Sequence, residues 1–208
     1  MSEVKAIEEA LEQTPDKQIS LTDPDARAMS TNARSSGNVG YNVQTAVDTQ
    51  HNLIVAHDFS MAMGDRRLLT TMSKKAREAT GIEDLEVIAD RGYFAMEEIK
   101  STVDAGIIPY VPKTVTSSNR KMGLYDRRDF LYIEADDEYK CPAGERLPRQ
   151  TKTNPGNMVI YRYWSKNCGS CALKLKCTIG KERRVSRWEH GKVIETHERR
   201  MEENPTMM

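Results

Sequence analysis

Leu85-Glu86-Val87-Ile88-Ala89-Asp90-Arg91-Gly92-Tyr93-Phe94 joins an apolar run to an aspartate and a glycine. Its first five residues are mostly apolar and predict a short strand of the kind found inside a sheet. Asp90 then stands just past the carboxyl end of that strand. In open sheets with helical crossovers, ligand-binding and reacting groups collect at that edge. Gly92 lets the backbone turn and come close to a ligand. A lone aspartate after a strand also serves simply to cap the next helix, so position alone leaves both roles open.

Downstream, the segment 96–105 reads as a short helix stopped by Gly106, and 107–111 as a strand closed by Pro112. On the other side, Leu68, Leu69, Met72 and Ala76 give a helix its apolar face, with Asp65 able to cap it and Gly81 to end it. Further back, 41–47 alternates with Tyr41, Val43, Thr45 and Val47 on one side, and 53–59 reads as a second strand across the polar turn 48–52. The order strand, strand, helix, strand, helix, strand predicts an α/β fold: one mixed sheet with helices packed on it. The stretch 20–40 reads as loop, and 3–13 as an N-terminal helix on Val4, Ile7 and Leu11. After residue 113 the chain turns polar. Short strand candidates at 130–148 and 158–164 surround the cysteines, and 182–203 reads as one charged helix.

With 208 residues, 38% hydrophobic and 30% charged, the chain has room for one ordinary domain or two small ones and is not polar enough to imply disorder. No apolar run approaches a membrane span and no leader-like segment opens the chain, so a soluble intracellular protein is expected. The formal net charge of +0 conceals an asymmetry. Residues 1–112 carry 11 basic and 18 acidic side chains, a net of −7, whereas 113–187 carry 17 and 8, a net of +9. Residues 188–208 carry 3 and 5, a net of −2. A basic block of that size fits either a polyanion such as DNA, through counterion release, or a solvated surface.

The cysteines are Cys141, Cys168, Cys171 and Cys177. One CxxC with two further cysteines fits a structural zinc site made of four thiolates. Reduced structural thiols and redox chemistry are the other uses the spacing leaves open, and disulfides are disfavoured in an intracellular chain. His51 and His57 fall on the hairpin. His190 and His197 share a helix face without a ligand motif. Trp164 and Trp188 offer either core packing or a surface for stacking an unpaired base.

Several segments recur in this order in bacterial insertion-sequence transposases of the DDE class, which the chain resembles. They are Thr22-Asp23-Pro24-Asp25-Ala26-Arg27, Gly40-Tyr41-Asn42-Val43-Gln44-Thr45-Ala46-Val47-Asp48, Gly64-Asp65-Arg66, Asp90-Arg91-Gly92-Tyr93-Phe94 and Pro109-Tyr110-Val111-Pro112-Lys113. Tyr139-Lys140-Cys141-Pro142-Ala143-Gly144, Cys168-Gly169-Ser170-Cys171 and Arg187-Trp188-Glu189-His190 resemble one branch of that class. The resemblance implies a ribonuclease H-like fold in which two aspartates and a glutamate hold two divalent metals, normally Mg2+, for in-line displacement at phosphorus. It makes Asp90 the second aspartate of that triad.

The other two triad positions find no match. The first aspartate is expected in an Asp-Gly-Thr segment ahead of residue 1, and the glutamate beyond Asn204-Pro205. Asp23, Asp25, Asp48 and Asp65 read as turn or cap residues. The resemblance therefore divides the chain into an N-terminal helix (1–18), an incomplete ribonuclease H-like core (19–113), a basic cysteine-bearing insertion (114–181) and a charged C-terminal helix (182–208). It implies a transposase fragment that is inactive alone. DNA at insertion-sequence ends would be its partner, with a complementing transposase chain or a second copy of itself, in the cytoplasm at the nucleoid. The rival readings are a non-catalytic DNA-binding protein and a zinc-stabilised protein-interaction module.

Overall fold

A computed structural model describes residues 2–14, 16–29, 38–114 and 117–207. The elements in chain order are α1 (Ser2–Gln13), β1 (Arg27–Met29), β2 (Asn38–Gly40), β3 (Asn42–Val47), β4 (Ile54–Ser60), α2 (Leu69–Thr80), β5 (Glu86–Ile88), α3 (Met96–Asp104), β6 (Ile108–Tyr110), β7 (Leu131–Ile133), β8 (Glu138–Lys140), β9 (Arg146–Thr153), β10 (Ile160–Tyr163), α4 (Lys174–Cys177), β11 (Val185–Trp188) and α5 (Gly191–Glu203). They form two compact units, one from Met1–Thr114 with Val193–Met208, the other from Val115–Lys192. The chain is thus of mixed α/β class. No described helix is long and apolar enough to cross a membrane.

In the first unit, β3 and β4 form an antiparallel hairpin with Val43 opposite Phe59 and Thr45 opposite His57. Asp48 makes the turn, its carboxylate accepting from the backbone N–H of Gln50 and His51, both at 3.0 Å. The faces of β3 fall opposite to the simplest hydrophobic expectation. Gln44 is buried while Val43 and Phe59 are 65% and 71% exposed. The reason is polar: the inward amides of Asn42 and Gln44 satisfy a carboxylate, as described below.

α2 buries Leu69, Met72, Ser73 and Ala76 and ends at Gly81 in the left-handed region, at φ 69°. Its start corrects the expectation that Asp65 caps it. The N-cap residue is Leu68, with no side-chain cap. Instead Glu98 of α3 accepts from the Thr70 N–H at 2.9 Å. A carboxylate at that end also answers the positive pole of the helix.

β5, α3 and β6 form a βαβ unit in which β5 and β6 pair in parallel, Val87 opposite Pro109. Ile99, Ile107 and Val111 are essentially inaccessible and, with Phe94 and Tyr110, form the core around it. β5 is not the doubly buried strand its apolar run suggests, because Glu86 and Ile88 are exposed. Among the described residues β3–β4 and β5–β6 are separate two-stranded ladders, not one mixed sheet. The stretch expected as loop holds a further small ladder, β1 with β2, Arg27 opposite Gly40. Residues 30–37 of that stretch lie outside the described residues.

The second unit is a five-stranded antiparallel sheet in the order β11-β10-β9-β8-β7. Phe130, Tyr139, Leu147, Tyr163 and Val185 form its core. The Tyr139 and Tyr163 rings meet edge-on at 5.1 Å. The hydroxyls of Tyr132 and Tyr163 both donate to Asp137 Oδ1, at 2.9 and 2.6 Å. The charged helix expected over 182–203 is corrected at its start. Val185–Trp188 is a strand paired with β10, and the helix begins at Gly191. Val185, Arg187 and Trp188 are buried, the Arg187 guanidinium lying 3.8 Å from the Tyr132 ring centre.

Candidate active site

Two short turns of 3-10 helix build the site. One is Asp65–Arg67 and the other Arg91–Tyr93, directly after β5. Asp90 caps the second, its Oδ1 accepting from the Gly92 N–H at 2.6 Å. The capping role left open by the sequence is therefore real, and the side chain remains exposed. The turns are tied together by Arg66, whose Nε donates to the Phe94 carbonyl at 3.3 Å.

Asp65 sits half-buried beside that turn. Its Oδ1 accepts from Asn42 Nδ2 at 2.9 Å and from Gln44 Nε2 at 2.8 Å. The Tyr93 hydroxyl in turn donates to Gln44 Oε1. These amides take up one carboxylate oxygen and leave Oδ2 facing Gly92. A Cβ added at Gly92 would lie 2.8 Å from Asp90 Oδ1 and 3.7 Å from Asp65 Oδ2, so both carboxylates border the same point. The Tyr93 phenol feels both. Burial first, then the charges of Asp65 and Asp90, hold its pKa above the ordinary value, against the Gln44 hydrogen bond.

An open groove of about 530 Å³ adjoins the site, lined by Ile88, Ala89, Asp90, Arg91, Pro112 and Met207. Its strand-derived walls are the carboxyl ends of β5 and β6, the edge where parallel strands present ligand sites. Two aspartates beside one point suit a single hard divalent cation such as Mg2+, with water filling its other positions. Among the described residues no three His, Cys, Asp or Glu side chains are grouped to hold a metal.

Compared with family models, curated proteins and solved structures, the chain matches none.

The remaining candidates separate cleanly. Asp23 accepts from the Tyr41 hydroxyl at 2.7 Å and from the Asp25 N–H at 3.2 Å, as a turn residue. His197 is buried, with its Nε2 2.9 Å from the Val111 carbonyl. His190 is exposed against the Trp188 ring, with ring centres 4.9 Å apart. Trp188 is a core residue, and the Arg184 guanidinium lies 4.7 Å over the Trp164 ring. Cys141, Cys168, Cys171 and Cys177 are free thiols, all half-buried, and line one cavity of about 350 Å³ in the second unit.

Local capping rules do not place Asp65 beside Asp90. The signal was present: Asn42 and Gln44 are two apart on β3, hence on one face, and amides on an inward face require a polar partner.

Proposed function

We propose that the chain carries the second-aspartate part of a DDE transposase active site on a ribonuclease H-like core, with Asp90 as the metal-bearing carboxylate and Asp65 beside it. The observation that supports this reading is the convergence of the two carboxylates on one point beside the groove at the ends of β5 and β6. Bound Mg2+ would supply activation of the attacking oxygen and charge relief at the leaving oxygen of a phosphodiester. The residues of the chain hold the ligands. The Gly92 N–H orients Asp90, and Asn42 and Gln44 orient Asp65. Arg91 on the groove wall offers a guanidinium to a phosphate. The +9 charge of residues 113–187 favours the DNA backbone.

Because only Asp90 matches the triad, the isolated chain should bind insertion-end DNA without cleaving it. Mn2+ binding followed by electron paramagnetic resonance should fall at least about tenfold in Asp90→Asn. DNA binding should weaken steeply with salt. Strand-transfer turnover by the chain alone, lost in Asp90→Ala, would overturn the prediction that the chain is inactive alone. Unchanged Mn2+ binding in Asp90→Asn would overturn the site. Salt-dependent DNA binding with no Mn2+ site would favour the non-catalytic DNA-binding alternative, which the basic block by itself supports.

A further inference from the structure

We propose that Cys141, Cys168, Cys171 and Cys177 form a structural tetrathiolate Zn2+ site that holds the segment 166–184 onto the second unit. The four thiols come from three separate turns. Cys141 opens a tight turn in which the Gly144 N–H donates to its carbonyl at 2.8 Å. Cys168 and Cys171 belong to the turn Lys166–Ser170 and its cap, and Cys177 ends α4. All four nevertheless border the same cavity.

Apart from the cysteines, mostly polar contacts hold that segment: the Tyr125 N–H donates to the Lys176 carbonyl at 2.8 Å, Asn167 Nδ2 donates to Glu145 at 2.8 Å, and the Arg183 guanidinium lies 5.3 Å from the Phe130 ring centre. Between Ser165 and Val185 no residue is buried. Leu175 and Ile179, its natural hydrophobic anchors, are 91% and 92% exposed. α4 has four residues, far below the length at which a helix supports itself. The cysteines are turned inward instead, and Cys141 and Cys177 pack against the core around Phe130 and Tyr139. The surrounding charge also fits. Four thiolates on Zn2+ carry a net of two negative charges, and Lys174 and Arg183 line the cavity.

The thiols are not grouped closely enough to ligate in the structure described. A tetrahedron with Zn–S bonds of about 2.3 Å needs sulfurs about 3.8 Å apart. Closure therefore requires the turns to move inward, and their lack of buried side chains permits it. Binding would release the thiol protons to solvent and leave the sulfur oxidation state unchanged.

The test uses the full chain, purified under reducing conditions. Metal analysis should find about one Zn2+ per chain. Replacement by Co2+ should give the thiolate-to-metal charge-transfer and intense visible bands of a tetrahedral thiolate site. Zinc should block reaction of the thiols with a disulfide reagent until a mercurial displaces it, and Cys171→Ser should lose the metal. The cobalt and thiol readouts need no variant, so a misfolded mutant leaves them intact. Four thiols that stay fully reactive in excess Zn2+, with no cobalt charge-transfer band, would overturn the proposal. So would a Cys168–Cys171 disulfide that forms equally well with Zn2+ present.

Discussion

Gly92 carries no strained dihedral, yet the space around it does not admit a side chain. A Cβ there would stand 2.8 Å from Asp90 Oδ1, closer than real Cβ contacts allow. The carboxylate would swing away and give up its bond to the Gly92 N–H. Gly92→Ala should therefore weaken Mn2+ binding about tenfold while leaving the fold intact. Gly40→Ala, where an added Cβ meets nothing within 4 Å, is the control. Equal affinities in the two variants would show that Gly92 does not shape the site. A second residue-scale effect belongs to His197. Burial, with Arg200 adding to it, holds its pKa below the ordinary 6.5, against the Val111 and Pro109 carbonyls and Glu198. The unfolded chain then takes up the proton more readily than the folded one. Stability is full above the unfolded value and falls as pH drops below it toward the folded pKa. The urea midpoint should decline as pH falls below the ordinary 6.5 of histidine, with a shallower decline in His197→Gln. A parallel decline in both proteins would assign the effect to other groups.

At the scale of elements, the turn between β7 and β8 concentrates risk. Asp137 sits at φ 51° and accepts from two tyrosine hydroxyls, one on the fully buried Tyr163. Burial, then the Asp137 bond and charge, push the Tyr163 pKa up, so its hydroxyl stays a donor. Asp137→Ala would orphan that donor and should cost roughly 1–3 kcal/mol in urea denaturation. Asp137→Asn keeps an acceptor and tolerates the left-handed backbone, so it should cost less. Equal losses would assign the cost to charge instead. These elements also mark what the sequence could and could not convey. Helices α2 and α3 were legible because apolar spacing and the glycines Gly81 and Gly106 bracket them. β11 was not, since Arg187 and Glu189 gave its surroundings a helical charge pattern while its burial depends on β10 and Tyr132. The position of Asp90 was readable from a strand and a glycine. Local capping rules point Asp65 to another role; the pair of amides on β3 signals a buried polar partner without saying which distant residue supplies it.

At the scale of the whole molecule, the first unit is assembled from segments that enclose the second in sequence. His197 reaches the Val111 carbonyl across 86 residues, and Ile194 and Met201 of α5 are also buried. This arrangement sets an order of events on the ribosome. Residues 115–192 are all synthesised before α5 is complete, so the inserted unit can fold while the surrounding one still waits for its closing helix. On stalled nascent chains, protease resistance should appear in 115–192 first and in 38–114 only after α5 has emerged. Simultaneous protection of both would mean that the first unit does not need its returning segment. Loop-closure entropy grows only logarithmically, by about 0.6 kcal/mol per doubling of length. The long interruption between Val111 and His197 is thus a matter of timing far more than of stability.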